Sequence, residues 1–126
     1  MQALNVFRGG TLLDDIPGHQ LPEGDMVHPT QAEGLPAALL GPSPMVNSNH
    51  HQAVGRAGEG LRLCQWAPDG TAEALVAPGR PVLGVQWHPE RQSFARRRAD
   101  AADAAPVFRW FRDALTNSGI TLYNES

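Results

Sequence analysis

The stretch Val82-Leu83-Gly84-Val85-Gln86-Trp87-His88-Pro89-Glu90 decides the fold. Its first six residues are almost continuously apolar, the pattern of a strand covered on both faces rather than one with a wet side. Strands of that kind belong to largely parallel sheets flanked by helices. In open α/β sheets, the carboxyl ends of such strands are where ligands and catalytic groups gather. His88-Pro89-Glu90 stands at that end. Proline disfavours helical backbone at His88 and fixes its own φ, so the tripeptide reads as extended, with residues two apart on one side. Glu90 is thereby placed to accept a hydrogen bond from one ring nitrogen of His88 and fix its tautomer, leaving the other nitrogen as a general base. A strand-end histidine bonded to its neighbour is the plainer reading of the same residues, and what the pattern lacks is a nucleophile.

Upstream, Leu61 to Trp66 alternates apolar with polar residues, Asp69-Gly70 supplies the positive φ of a tight turn, and Thr71 to Val76 returns. A hairpin over Leu61–Val76 follows. Met45-Val46 reads as a short strand. The Gly- and Pro-rich segment from Gly18 to Pro44 reads as loop, with a short strand near Met26 to Thr30 and a helical turn over Leu35 to Leu40. Ala3, Leu4 and Phe7 have the spacing of a helix face that ends at Gly9-Gly10. Downstream, Val107, Phe108, Phe111, Ala114 and Leu115 recur with helical period, and Gly119 is the natural stop. The expected class is α/β with a C-terminal helix. One long helix and so few strands leave the parallel sheet incomplete.

With 126 residues, 41% hydrophobic and 18% charged, the chain has the size and composition of one domain spanning 1–126 with a real core, not of a disordered segment. The net charge of −3 argues against nucleic acid as a partner. The basic residues are all arginine, which removes lysine Schiff bases and Walker-type phosphate loops. Arg96-Arg97-Arg98 lies beside Asp100 and Asp103 and reads as a solvated surface. No stretch approaches the ~18 apolar residues of a membrane span, and nothing at the N-terminus has the form of an export signal. Cys64 is the single cysteine. A reducing, cytoplasmic setting is expected, in which the sequon Asn124-Glu125-Ser126 is idle.

The polar run Asn47-Ser48-Asn49-His50-His51-Gln52 has the character of a pocket lining. Consecutive side chains on extended backbone point to opposite faces, so His50 and His51 do not serve one site easily. A zinc reading would gather His50 or His51 with His28, His88, Glu90 or Cys64, but none has the close paired spacing of a familiar metal motif, and no metal or cofactor is expected. Cys64, within an alternating strand and opposite Leu63, has no adjacent cation or helix N-terminus to activate it. Ser43, Ser48 and Ser93 lack a Gly-x-Ser-x-Gly setting.

Taken in order, five segments resemble the gamma-glutamyl-gamma-aminobutyrate hydrolase family of the class I glutamine amidotransferase-like superfamily. They are Gln2 to Val6 with Gly9 to Leu12, then Val46 to Val54, Asp69 to Ala74, and Leu83 to Glu90. The resemblance covers Met1 to Glu90. It implies a flavodoxin-like α/β sandwich, a Cys-His-Glu triad, and hydrolysis of gamma-glutamyl amides, such as gamma-glutamyl-gamma-aminobutyrate, through a thioester. His88 and Glu90 match the triad's histidine and glutamate. Gln2 matches the glutamine that contacts the glutamyl part, and Asn49, His50 and His51 match a loop bordering the pocket. The family's cysteine lies in a Cys-Arg-Gly tripeptide just before the residues matching Met1-Gln2. The chain is therefore expected to be the C-terminal part of the family domain, inactive alone. Self-association through the uncovered strand, or a partner supplying the missing half, goes with that reading. The alternative is a non-catalytic gamma-glutamyl-binding protein or one half of a split enzyme.

Overall fold

The computed structural model describes residues 1–117. The stop expected at Gly119 and the sequon at 124–126 lie outside the described residues. The order is α1 (Gln2–Phe7), β1 (Leu12–Leu13), β2 (Met26–His28), β3 (Gln31–Ala32), α2 (Gly34–Leu40), β4 (Val46–Ser48), β5 (Ala53–Val54), β6 (Arg62–Trp66), β7 (Ala72–Val76), β8 (Leu83–Val85) and α3 (Ala105–Asn117). Two 3₁₀ turns, Pro89–Arg91 and Phe94–Arg96, lie between β8 and α3. The architecture is mixed α/β, as the sequence implies.

The strands form a four-stranded sheet in the order β3-β6-β7-β8 and two ribbons, β1-β5 and β2-β4. Every pairing among the described residues is antiparallel. This corrects the expectation for Val82 to Trp87. The strand is short, half-buried and at the edge of an antiparallel sheet, with Leu75 opposite Gly84 and Val76 opposite Leu83. Its apolar character has another source. One part packs toward α3, where Val85 and Val107 border the core of Val46, Trp87 and Ala104. Another faces the start of α1, where a Cβ on Gly84 would sit 3.3 Å from the Cα of Met1 and 3.1 Å from Leu75. Glycine at 84 is what lets helix and strand approach that closely.

The hairpin forms where expected, turning at Gly70 with φ +87°. Its β6 strand departs from simple alternation. The register slips between Leu63 and Gln65, so Cys64 is the extra residue of a bulge, and both Cys64 and Gln65 are buried. The Gln65 amide donates to Thr30 Oγ1 at 2.8 Å, and its carbonyl accepts from Trp87 Nε1 at 3.3 Å, tying β6 to residues on either side.

Helix α1 is short and has no side-chain cap. Its anchor is Asn5, fully buried, whose Nδ2 donates to the carbonyls of Thr11 (3.1 Å) and Arg56 (3.0 Å), while Oδ1 accepts from Gly58 N–H (2.7 Å). Gly58 is bare of necessity, because a Cβ there would come within 2.8 Å of the Asn5 carbonyl oxygen.

Candidate functional site

His88 leaves β8 with extended backbone (φ −109°, ψ 92°), and the chain then tightens into the 3₁₀ turn Pro89–Arg91, closed by Arg91 N–H to the His88 carbonyl at 3.0 Å. The tripeptide is therefore not extended throughout, which corrects the sequence expectation. Proline at the first position of a helical turn sacrifices no hydrogen bond, since that N–H has no partner there anyway. The turn still brings Glu90 back: its Oε1 lies 2.9 Å from His88 Nδ1. The histidine side chain is 36% exposed and the glutamate 54%, and Nε2 makes no hydrogen bond among the described residues.

What holds His88 in place carries no signal in the sequence. Asn47, at the centre of β4 and fully buried, grips the His88 backbone twice. Its Oδ1 accepts the His88 N–H at 2.8 Å and its Nδ2 donates to the His88 carbonyl at 2.7 Å. Gln92, also fully buried, accepts from Asn47 N–H and Nδ2 through Oε1 at 2.9 and 2.8 Å, and its Nε2 donates to the Ala102 carbonyl at 2.9 Å. The polar run beginning at Asn47 has the character of a pocket lining, yet its first member acts as a bracket for backbone. The partners of such a bracket do not show in side-chain patterns.

The remaining candidates scatter. Gln2 donates to Gln86 Oε1 at 2.9 Å and to the Gln52 carbonyl at 3.2 Å, so it sits beside the end of β8. Asn49 lines an open cleft of about 590 Å³ together with Gly24, Asp25, Arg91 and Arg96 to Arg98. Within it Arg91 pairs with Asp25 at 2.9 Å, and Arg98 holds Asp100 through two bonds of 2.6 and 2.9 Å. The arginine run thus borders a concavity beside the Pro89–Arg91 turn instead of a flat surface. His51 is exposed, whereas His50 is buried and turns the other way, as consecutive residues on extended backbone do.

His50 turns toward Glu73, a carboxylate of β7 that is 0% exposed. His28 from β2 and His19 from the loop before it face the same carboxylate. The rings cluster, with His19 to His28 centroids 5.2 Å apart and His19 to His50 4.9 Å. Burial alone would lift the Glu73 carboxyl, and the imidazoles of His28 and His50 outweigh it, holding that carboxyl below its usual range. For His28 burial works toward a lower value, and Glu73 with the Pro29 carbonyl more than reverses it. The zinc reading of the sequence brings in His88, Glu90 and Cys64. These lie elsewhere in the pairing scheme, and the residues that do converge include His19 and Glu73, which carry no spacing signal.

Cys64 is buried in the β6 bulge, and burial first, then the charge of Glu33, push its thiol up to about 11 against the smaller opposing effect of Arg62. Since the neutral thiol is favoured on folding, this contribution is complete below the ordinary thiol pKa and is lost as pH rises through about 11. At pH 8 the native chain should react with iodoacetamide about 100-fold more slowly than the same chain in denaturant. Equal rates would show that Cys64 is accessible and restore it as a candidate nucleophile.

The family model described as Peptidase C26 matches residues 1–90. Among curated proteins the chain is 43% identical over 101 residues to the glutamine amidotransferase-named protein Rv2859c of Mycobacterium tuberculosis, covering 71% of this chain and 32% of that one. It is 37% identical over 101 residues to the glutamine amidotransferase-like protein YvdE of Lactococcus lactis, covering 71% and 42%. It is 35% identical over 104 residues to protein NtpR of Enterococcus hirae, covering 71% and 44%. The chain thus spans between about a third and less than half of the length of these relatives. Among solved structures, a GMP synthase component from Thermoplasma acidophilum superposes with a TM-score of 0.67 at 14% identity, over 94% of this chain and 54% of that one, a likeness of fold.

Proposed function

From the premise that the chain belongs to the peptidase C26 family, we propose that it carries the histidine and glutamate of a Cys-His-Glu triad hydrolysing gamma-glutamyl amides. The observation that carries this reading is the 2.9 Å contact between His88 Nδ1 and Glu90 Oε1 at the end of β8, with Nε2 left open. A carboxylate accepting from Nδ1–H makes Nε2 the basic nitrogen and stabilises the imidazolium formed when that nitrogen takes a proton.

In the proposed reaction Nε2 removes the proton of a cysteine thiol, and the thiolate attacks the gamma-carbonyl carbon. The tetrahedral intermediate collapses with cleavage of the C–N bond, and the imidazolium gives its proton to the departing amine. Water then attacks the thioester, His88 accepting one of its protons, and the glutamyl acid and the thiol are released. In the cleft next to Glu90 the natural seat for a substrate carboxylate is Arg96, because guanidinium binds carboxylate through paired hydrogen bonds and Arg91, Arg97 and Arg98 already hold Asp25, Asp103 and Asp100.

The sulfur is not Cys64, which is buried with its thiol pushed up to about 11. It has to come from outside residues 1–126, as a Cys-Arg-Gly elbow ahead of Met1 or from a partner chain. The test is hydrolysis of gamma-glutamyl-p-nitroanilide by residues 1–126 alone and by the same chain joined behind an elbow-bearing segment. Turnover only in the joined form supports the triad. A folded, joined form that binds the substrate without turning it over would replace the triad with a gamma-glutamyl-binding role.

A further inference from the structure

Each of the three imidazoles near Glu73, buried for His19 and His50 and partly buried for His28, has one nitrogen already committed outward. His28 Nδ1 lies 2.9 Å from the Pro29 carbonyl, His50 Nδ1 lies 2.7 Å from the Gln52 carbonyl, and His19 Nε2 lies 2.7 Å from Asp69 Oδ2. All three outer partners are acceptors, so the outer nitrogens carry the hydrogens. In neutral rings the inner nitrogens are then lone pairs, and they converge on a carboxylate that is itself only an acceptor. The inner nitrogens of His28 and His50 and both oxygens of Glu73 are buried without a hydrogen-bond partner. The inner nitrogen of His19 has only the Ser48 hydroxyl at 3.4 Å, and that hydroxyl donates to the His19 carbonyl at 2.9 Å.

Buried acceptors facing acceptors are costly unless something positive lies between them. The distances indicate what. From Glu73 Oε1 the inner nitrogens stand at 3.4 Å (His28), 3.5 Å (His19) and 3.8 Å (His50). A direct N–H···O bond would bring them to about 2.9 Å. Nitrogen and oxygen ligands bound at about 2.0–2.1 Å around a tetrahedral ion stand about 3.3 Å apart. The ligand atoms of His19, His28 and Glu73 all lie within 4.8 Å of one another, a looser spacing than the bound one, so the rings draw inward when an ion enters. The outer hydrogen bonds to backbone carbonyls and to a carboxylate are the supports that orient metal-binding histidines.

We propose that His19, His28 and Glu73, with His50 as the more distant fourth donor at 3.8 Å from Glu73 Oε1, bind one divalent transition-metal ion, with a nitrogen-rich, tetrahedral donor set suited to zinc. The ion would join the loop before β2 with β2, β7 and the segment after β4. His19 lies in the loop between β1 and β2, which is fastened to the 50–51 region by the His50 N–H to His19 carbonyl bond (2.9 Å) and the Ile16 N–H to His51 carbonyl bond (2.8 Å). The same loop runs on to Gly24 and Asp25, which border the arginine cleft. The ion would therefore act on the cleft by fixing its wall, without touching a reacting molecule.

The experiment uses the full chain, prepared without a polyhistidine tag and freed of metal, titrated with Zn²⁺ against a chromophoric chelator and separately with Co²⁺. One equivalent per chain is expected, together with the visible spectrum of tetrahedral Co²⁺. The His28→Ala and Glu73→Gln variants should lose that equivalent, and exposed His51→Ala should keep it. Because a buried substitution can unfold the chain, imidazole NMR of the unaltered protein supplies a second reading: Zn²⁺ should shift the ring signals of His19, His28 and His50 and leave those of His51 and His88. Failure of the unaltered chain to bind an equivalent, retention of binding by folded His28→Ala, or shifts confined to His51 and His88 would each overturn the site. Loss of the gamma-glutamyl reading would leave all of these measurements unchanged.

Discussion

Replacing His88 with alanine in the elbow-bearing form is expected to lower kcat/KM for gamma-glutamyl-p-nitroanilide by about 10⁴-fold, while leaving the fold as stable as before. The size follows from the proposed role. Without the imidazole nothing nearby takes the thiol proton or returns one to the leaving amine, and loss of a triad base removes most of the chemical acceleration at once. The stability should hold because the side chain is 36% exposed and its one described polar partner is the still more exposed Glu90. Substitutions at such positions rarely move stability by more than about 0.5 kcal/mol. The measurement is steady-state kinetics beside a thermal melt. A loss of less than tenfold would remove His88 from the chemistry, and a large fall in Tm would make it a structural residue. Glu90→Gln should show a smaller loss, with its greatest effect on the pH profile, because the glutamate acts through the imidazole.

The second large effect belongs to Asn47. Asn47→Leu keeps much of the volume but strips the His88 N–H and carbonyl of their partners at 2.8 and 2.7 Å and takes one donor from Gln92. A buried polar group left without a partner costs about 1–3 kcal/mol. The sum should reach about 3–5 kcal/mol, a fall in Tm of roughly 10 °C or more for a chain of this size. Asn49→Ala, two residues on and only partly buried, should change stability by less than about 0.5 kcal/mol. Thermal melts of the two variants decide. Equal, small shifts would mean that the Asn47 bracket is replaced by water or by rearrangement. Where Asn47→Leu remains folded in the elbow-bearing form, the displaced His88 should also lower kcat more than it raises KM.

Much of the architecture can be read in the residues, and for clear reasons. Asp69-Gly70 between two β-rich runs leaves few alternatives to a hairpin, and the helical period from Val107 to Leu115 reappears in α3. The direction of β8 cannot be read, because an apolar run records only that it is covered. It does not distinguish parallel neighbours from an edge strand lying against a glycine-tight helix start and α3. The bulge at Cys64 escapes for a similar reason, since two-residue periodicity assumes an unbroken register. Among site residues, His88 and Glu90 stand two apart and their contact is local. His19, His28, His50 and Glu73 come from separate segments, with Glu73 on a different sheet from His28, and the tertiary fold draws them together.

The Asn5 anchor also bears on the order in which the molecule can be made. A six-residue helix without a side-chain cap does not persist by itself in water. Its stabilising partners at Arg56 and Gly58 lie 51 and 53 residues further along the chain. As the polypeptide leaves the ribosome, α1 therefore emerges ahead of its partners and settles late, waiting in an unfolded segment until those carbonyl and amide groups have been synthesised. This helical turn is made before its partners and is one of the later pieces to settle.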